Sequence, residues 1–174
     1  EMCIRDRYNA IANNNDRSLG LTLDNSGNVY IAGRTFNGNN DDFILIKYNA
    51  TGVQQWIRTF DNGGTDRAVG VVTDNNGLIY VAGRSDNGID DDYRVIQYNN
   101  AGTIQWNIVY NNAGDDRPSV IEVIPTGGCV VTGKSDGNPT TVLDYNIVTV
   151  KFTASGVQQW VKTYAGTAAA EDIP

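Results

Sequence analysis

An internal repeat of fifty residues constrains this chain more than any other feature it carries. Asp16-Arg17 recurs as Asp66-Arg67 and Asp116-Arg117, and Gly33 recurs as Gly83 and Gly133, a step of fifty both times. Later in each unit the pairs Gly52/Trp56, Gly102/Trp106 and Gly156/Trp160 return, with steps of fifty and then fifty-four. A four-residue insertion therefore lies between Gly133 and Gly156, placed in the stretch DGNPTTVLD from Asp136. Insertions collect in surface loops, because closure entropy rises only slowly with loop length.

Within one unit, Asp66 to Tyr110, four β-rich runs alternate with turn chemistry: AVGVVTD from Ala68, LIYVAGR from Leu78, YRVIQY from Tyr93 and TIQWNIVY from Thr103. Asp74-Asn75-Asn76-Gly77 and Asn99-Asn100-Ala101-Gly102 supply residues that tolerate the positive φ of tight hairpins. The unit reads as a four-stranded antiparallel meander. Its middle strands, such as VYIAG from Val29 and ILIKY from Ile44, are nearly continuous apolar runs, which predicts cover on both faces. Stacking such sheets face to face supplies the cover, and four strands in about fifty residues is the pattern of a propeller blade. The expected fold is all-β, a fragment of a β-propeller in three four-stranded antiparallel blades, with the ring incomplete. Blade 1 takes residues 16–65, blade 2 residues 66–115 and blade 3 residues 116–170, while 8–15 reads as the tail of a preceding blade and 171–174 as the start of a further one.

The first seven residues, EMCIRDR, fit nothing that follows. They resemble the translation of a transposase end sequence used in preparing sequencing libraries, and are set aside as a processing scar. That removes Cys3 and leaves Cys129 as the one remaining cysteine, so no disulfide is expected.

The recurring pattern D-x-x-G-x-(V/I)-Y-(V/I)-A-G, then an acidic loop, then K-Y-N-x-x-G-x-x-Q-W stands here as DNSGNVYIAGR, DDFILIKYNATGVQQW and, in the third unit, DYNIVTVKFTASGVQQW. In this it resembles the bacterial β-propeller repeat proteins labelled SBBP repeats, over Asp16 to Tyr164. The resemblance implies a secreted or surface-attached part of a larger bacterial polypeptide, with the remaining blades in the same polypeptide and no assigned activity. The third unit departs from the pattern, with IPTGGCVVTG in place of the Asp turn and Phe152 in place of the tyrosine, so the blades are not expected to bind alike.

Chemistry is limited first by what is missing. The chain has no histidine, which removes the commonest general base and metal ligand, and Cys129 falls inside an apolar strand, where a cysteine acts as a small hydrophobe. A net charge of −7 disfavours nucleic acid and anionic membrane surfaces as partners, and no apolar run is long enough for membrane insertion as a helix. Asp16, Arg17, Asp66, Arg67, Asp116 and Arg117 stand before the first strand of each unit, and Arg34, Arg84 and Lys134 after the second, so both sets emerge at one sheet edge. Asp66 is expected to meet Arg84 as a structural ion pair, the alternative being a polar binding rim. Oxygen-rich loops place Asp41 and Asp42, Asp90, Asp91 and Asp92, and Asp144 at corresponding positions, where calcium is the cation to consider, although none has EF-hand spacing. No other cofactor is indicated. Trp56, Trp106 and Trp160, one per unit at a fixed position, read as repeated core contacts between blades, with Gly33, Gly83 and Gly133 as structural glycines. Together these readings point to a non-catalytic module contacting protein or carbohydrate at the cell exterior. A propeller hydrolase or lyase with its catalytic residues in other blades is the competing class, and an architectural spacer the third.

Overall fold

The computed structural model describes residues 15–137 and 145–166. The set-aside start, most of the inserted stretch with Asp144, and the expected further blade from Glu171 lie outside the described residues. The rest is three four-stranded antiparallel sheets and no helix. Sheet 1 runs β1 (Arg17–Leu23), β2 (Val29–Phe36), β3 (Asp41–Tyr48) and β4 (Gln54–Phe60). Sheet 2 runs β5 (Asp66–Thr73), β6 (Ile79–Asp86), β7 (Asp91–Tyr98) and β8 (Ile104–Tyr110). Sheet 3 runs β9 (Asp116–Val123), β10 (Cys129–Asp136), β11 (Tyr145–Phe152) and β12 (Gln158–Tyr164). Each is a meander in chain order, and the three do not close into a ring.

The hairpins form where side chains take over the backbone donors of the turn. Asp24 Oδ1 accepts the N–H groups of Ser26 and Asn28, and Asp74 Oδ1 those of Asn76 and Leu78, with Gly27 and Gly77 at φ of 75° and 77°. The third unit lacks that aspartate and substitutes two left-handed glycines, Gly127 and Gly128. Asn49, Asn99 and Thr153 do the same work in the β3–β4, β7–β8 and β11–β12 turns.

The strands of sheet 2 alternate between two cores. Ile79, Val81, Ile96 and Tyr98 pack with Tyr30, Ala32, Phe43 and Leu45 of sheet 1, whereas Tyr80, Ala82, Tyr93 and Val95 pack with Val131, Val148, Val150 and Phe152 of sheet 3. Successive residues point to opposite faces, so a strand covered on both sides carries apolar residues at consecutive positions, as Ile79–Ala82 and Val95-Ile96 do. Each fully buried Leu, Ile or Val contributes about 1.5–3 kcal/mol.

The sheets approach most closely along their first strands. A Cβ on Gly20 would lie 2.9 Å from Gly70 Cα, and one on Gly70 would lie 2.9 Å from Ile121 Cγ2. At the fourth strands the space is filled by long side chains: Trp56 Nε1 donates to Asn100 O at 3.2 Å, Arg58 Nε to Gly102 O at 2.7 Å, and Trp106 Nε1 to Ala154 O at 3.0 Å. Small residues at one end and large ones at the other make each junction a wedge. Gly83 and Gly133 serve the same packing, since a Cβ there would strike Phe43 at 2.5 Å or the Tyr93 hydroxyl at 2.7 Å, and one on Gly33 would meet Arg17 O at 1.9 Å.

Candidate functional site

The Asp-Arg repeat gathers at the sheet edge that also carries the β2–β3 and β6–β7 loops, and its pairing runs between sheets. Arg67 Nε donates to Asp41 Oδ2 at 2.8 Å across the first junction, where Arg34 Nη1 of sheet 1 also binds at 2.5 Å. One unit on, Asp91 Oδ2 accepts Arg117 Nε at 3.0 Å and Arg84 Nη1 at 2.6 Å, and Arg117 Nη2 adds Asp115 at 2.6 Å. Asp41 and Asp91 are only 12% and 13% exposed, so these are partly desolvated bridges joining neighbouring sheets. In the third unit Tyr145 takes the aspartate's place, and Lys134 lies 4.0 Å from its ring centroid.

The expected pair of Asp66 with Arg84 is not formed. Asp66 is wholly buried, its Oδ2 accepts the Asn62 N–H at 2.7 Å, and the Ser85 hydroxyl stands beside its carboxylate. Asp116 repeats this with the Asn112 N–H at 2.6 Å and Ser135, and Asp16 accepts the Thr35 hydroxyl at 2.7 Å. Asp66 and Asp116 thereby tie the connector before their sheet to its second strand. Their register explains it: Asp66 and Asp116 stand directly opposite Ser85 and Ser135, leaving Arg84 to reach Asp91. The recurrence of Thr35, Ser85 and Ser135 at the same fifty-residue step is the signal that could have identified these partners. Buried residues cannot line a rim open to a partner, so Asp66 and Asp116 do not belong to one, while Arg17 is exposed.

The oxygen-rich loops are largely self-satisfied. Asn37 Oδ1 accepts the N–H groups of Asn39 and Asn40 while its Nδ2 donates to Asp42 Oδ1, and Asn87 serves Ile89, Asp90 and Asp92 likewise. Asp90 Oδ1 accepts Asn87 Nδ2 at 2.6 Å. Of the acidic residues singled out for calcium, Asp41 and Asp91 are engaged by arginines, and Asp144 lies outside the described residues. Asp42 instead joins two residues that the loop pattern did not include: carboxylate oxygens of Asp42, Asp61 and Asp66 lie within 4.8 Å of one another. Burial, with Asp61, Asp66 and Asp41 nearby, pushes the Asp42 carboxyl up to about 6. Burial likewise raises Asp66 and Asp92, and raises Asp116 to about 6.

Two of the three tryptophans bridge sheets. Trp56 tilts against Tyr30 and Trp106 against Tyr80, each donating its indole N–H to the turn of the following sheet, while Trp160 is 38% exposed. The turn glycine Gly156 accommodates Trp106, whose ring atoms lie 2.9 Å from where a Cβ would be. The repeated Gly and Trp are thus two halves of one contact made between consecutive units. Cys129 is fully buried and its thiol is pushed up to about 12 by desolvation, which suits packing and not nucleophilic attack.

No protein-family model matches the chain, and no curated protein matches it.

Proposed function

We propose that the three sheets are consecutive blades of a β-propeller acting as a non-catalytic binding scaffold in a secreted or cell-surface protein. The observation that carries the reading is the wedge at both junctions: Gly20 against Gly70 and then Gly70 against Ile121 along the first strands, Trp56 with Arg58 and then Trp106 spanning the gap along the fourth. Sheets stacked with such a taper radiate from an axis. Arg34, Arg67, Arg84 and Arg117, which could have formed a reactive rim, are held by Asp41 and Asp91, which leaves the loops of the same edge for recognition. Those loops are held by Asn37 and Asn87, so little ordering entropy is lost on binding. Ile89 is 92% exposed at the tip of the β6–β7 loop and is the apolar side chain that this loop offers to a partner.

The test is a pull-down and glycan-array screen with the whole chain, followed by loop variants. Ile89→Ser and Asn39→Ser are expected to weaken any captured partner at least about tenfold with an unchanged melting temperature, while turn changes at Asn25 and Asn75 on the opposite edge leave binding intact. Binding that maps to the opposite edge would refute the assignment, as would turnover of a polysaccharide by the chain.

A further inference from the structure

Both junctions between sheets repeat one contact, and the chain carries the two halves of it once more without joining them. Trp56 Nε1 donates to Asn100 O at 3.2 Å and Lys47 Nζ bonds the same residue, while Trp106 Nε1 and Gln97 Nε2 donate to Ala154 O at 3.0 and 3.1 Å. By the repeat, Trp160 and Lys151 stand on sheet 3 where Trp56 and Lys47 stand on sheet 1. Ala50 stands in the β3–β4 turn where Asn100 stands in the β7–β8 turn. Among the described residues, Trp160 Nε1 and Lys151 Nζ find no acceptor and Ala50 O finds no donor.

The apolar surface beside these groups is open on both sheets. Leu21 of sheet 1 is 63% exposed, whereas Val71, its counterpart in sheet 2, is 4% exposed and packs against sheet 1. On sheet 3, Tyr164 is 65% exposed, whereas its counterpart Tyr110 is 9% exposed in the second core. Thr132 and Thr149 stand on the outward face of sheet 3 in place of Ala82 and Val95, but their hydroxyls are satisfied within the sheet. Thr132 Oγ1 donates to Val148 O at 3.1 Å and lies 3.0 Å from Thr149 Oγ1. Covering that pair leaves neither hydroxyl without a partner.

We infer that sheet 3 of one copy of this chain docks on sheet 1 of a second copy, with Trp160 and Lys151 reaching the turn at Ala50. The second copy is the occupant because this chain itself carries the unjoined counterpart of the contact that sheet 1 leaves open. The docking is looser than the two junctions inside the chain. Val120 stands where Gly20 and Gly70 let the first strands close up, and Tyr145 stands where Asp41 and Asp91 hold an arginine of the next sheet. One such contact is expected to have a Kd of about 1–100 μM. Two copies head to tail set six sheets in series, within the four to eight blades of closed propellers, whereas three copies set nine. The pair therefore closes on itself through two contacts, a step that rests on the propeller reading as the docking does not.

Sedimentation equilibrium of the full chain up to about 500 μM tests this. The parent is expected to reach two chains and stop. Leu21→Lys with Leu23→Lys, and separately Trp160→Glu, alter exposed positions and are each expected to weaken self-association at least about tenfold, with melting at high dilution unchanged. Mixed in equal amounts, the two variants are expected to form a one-to-one pair, since each keeps the face that the other lacks. Pairing of sheet 1 with sheet 1 gives the reverse: Trp160→Glu self-associates like the parent, and mixing adds nothing. That result, or a parent chain that stays monomeric at about 500 μM, overturns the docking. A parent series that grows past two chains keeps the docking and overturns the closed pair together with the propeller reading.

Discussion

At Asp116 a wholly buried carboxylate has Asp90 and Asp92 as charged neighbours, with Tyr93, Tyr110 and Ser135 around it. Desolvation raises its folded pKa to about 6, above the ordinary carboxylate value, so the folded state holds this proton more tightly than the unfolded chain. The group's contribution is fully present below about pH 4 and is lost as pH rises through about 6. Asp24 acts in the opposite sense, because hydrogen bonds from Asn28, Tyr30 and Ser26 outweigh its desolvation and hold it low. The clean measurement is therefore a difference. The stability of Asp116→Asn relative to the parent chain should rise by about 1–3 kcal/mol between pH 4 and pH 7 in urea titrations, since the amide carries no buried charge to desolvate. A pH-independent difference would show that the carboxylate is ionised at no cost. The recurrence of this aspartate was legible in the sequence, but its partner was not. Arg84 and Ser85 are neighbours on one strand, and only the register, which sets Ser85 opposite Asp66, decides which of them the carboxylate meets.

For the strands, legibility followed from covalent alternation. β6 reads Ile-Tyr-Val-Ala, and a strand with no polar face requires two neighbours whatever they are, so the four-stranded unit and its double cover could be argued from spacing and turn residues. What spacing cannot convey is which side chain crosses to which sheet. Arg67 and Asp41 are twenty-six residues apart and in different repeats, and nothing in a single unit marks them as a pair. The tryptophans give the direct test at this scale. Trp106→Phe, which keeps an aromatic six-membered ring but loses the pyrrole ring with its N–H bond to Ala154 O, is expected to cost at least about 1 kcal/mol in chemical denaturation. Trp160→Phe, at a position with no following sheet among the described residues, is expected to cost close to nothing. Equal losses at both positions would refute a bridging role for the indole N–H.

Across the whole molecule, β1 presents Leu21 and Leu23 at 63% and 57% exposure. Leu21 stands opposite Ile31, which in turn stands opposite Ile46, and its counterparts Val71 and Ile121 are each 4% exposed inside the two junctions. The purified chain is expected to self-associate through this face, and Leu21→Lys with Leu23→Lys to shift sizing chromatography toward monomer. A parent chain that stays monomeric at high concentration would refute that expectation.

The bridges between sheets also have a direction. Lys47, Trp56 and Arg58 of sheet 1 reach the turn at Asn100–Gly102, and Gln97 and Trp106 of sheet 2 reach Ala154 O. Each sheet thus carries a donor side and a receiver side, like tiles with matched edges. A tandem duplication of one repeat would insert a tile whose donor and receiver sides already match those of its neighbours.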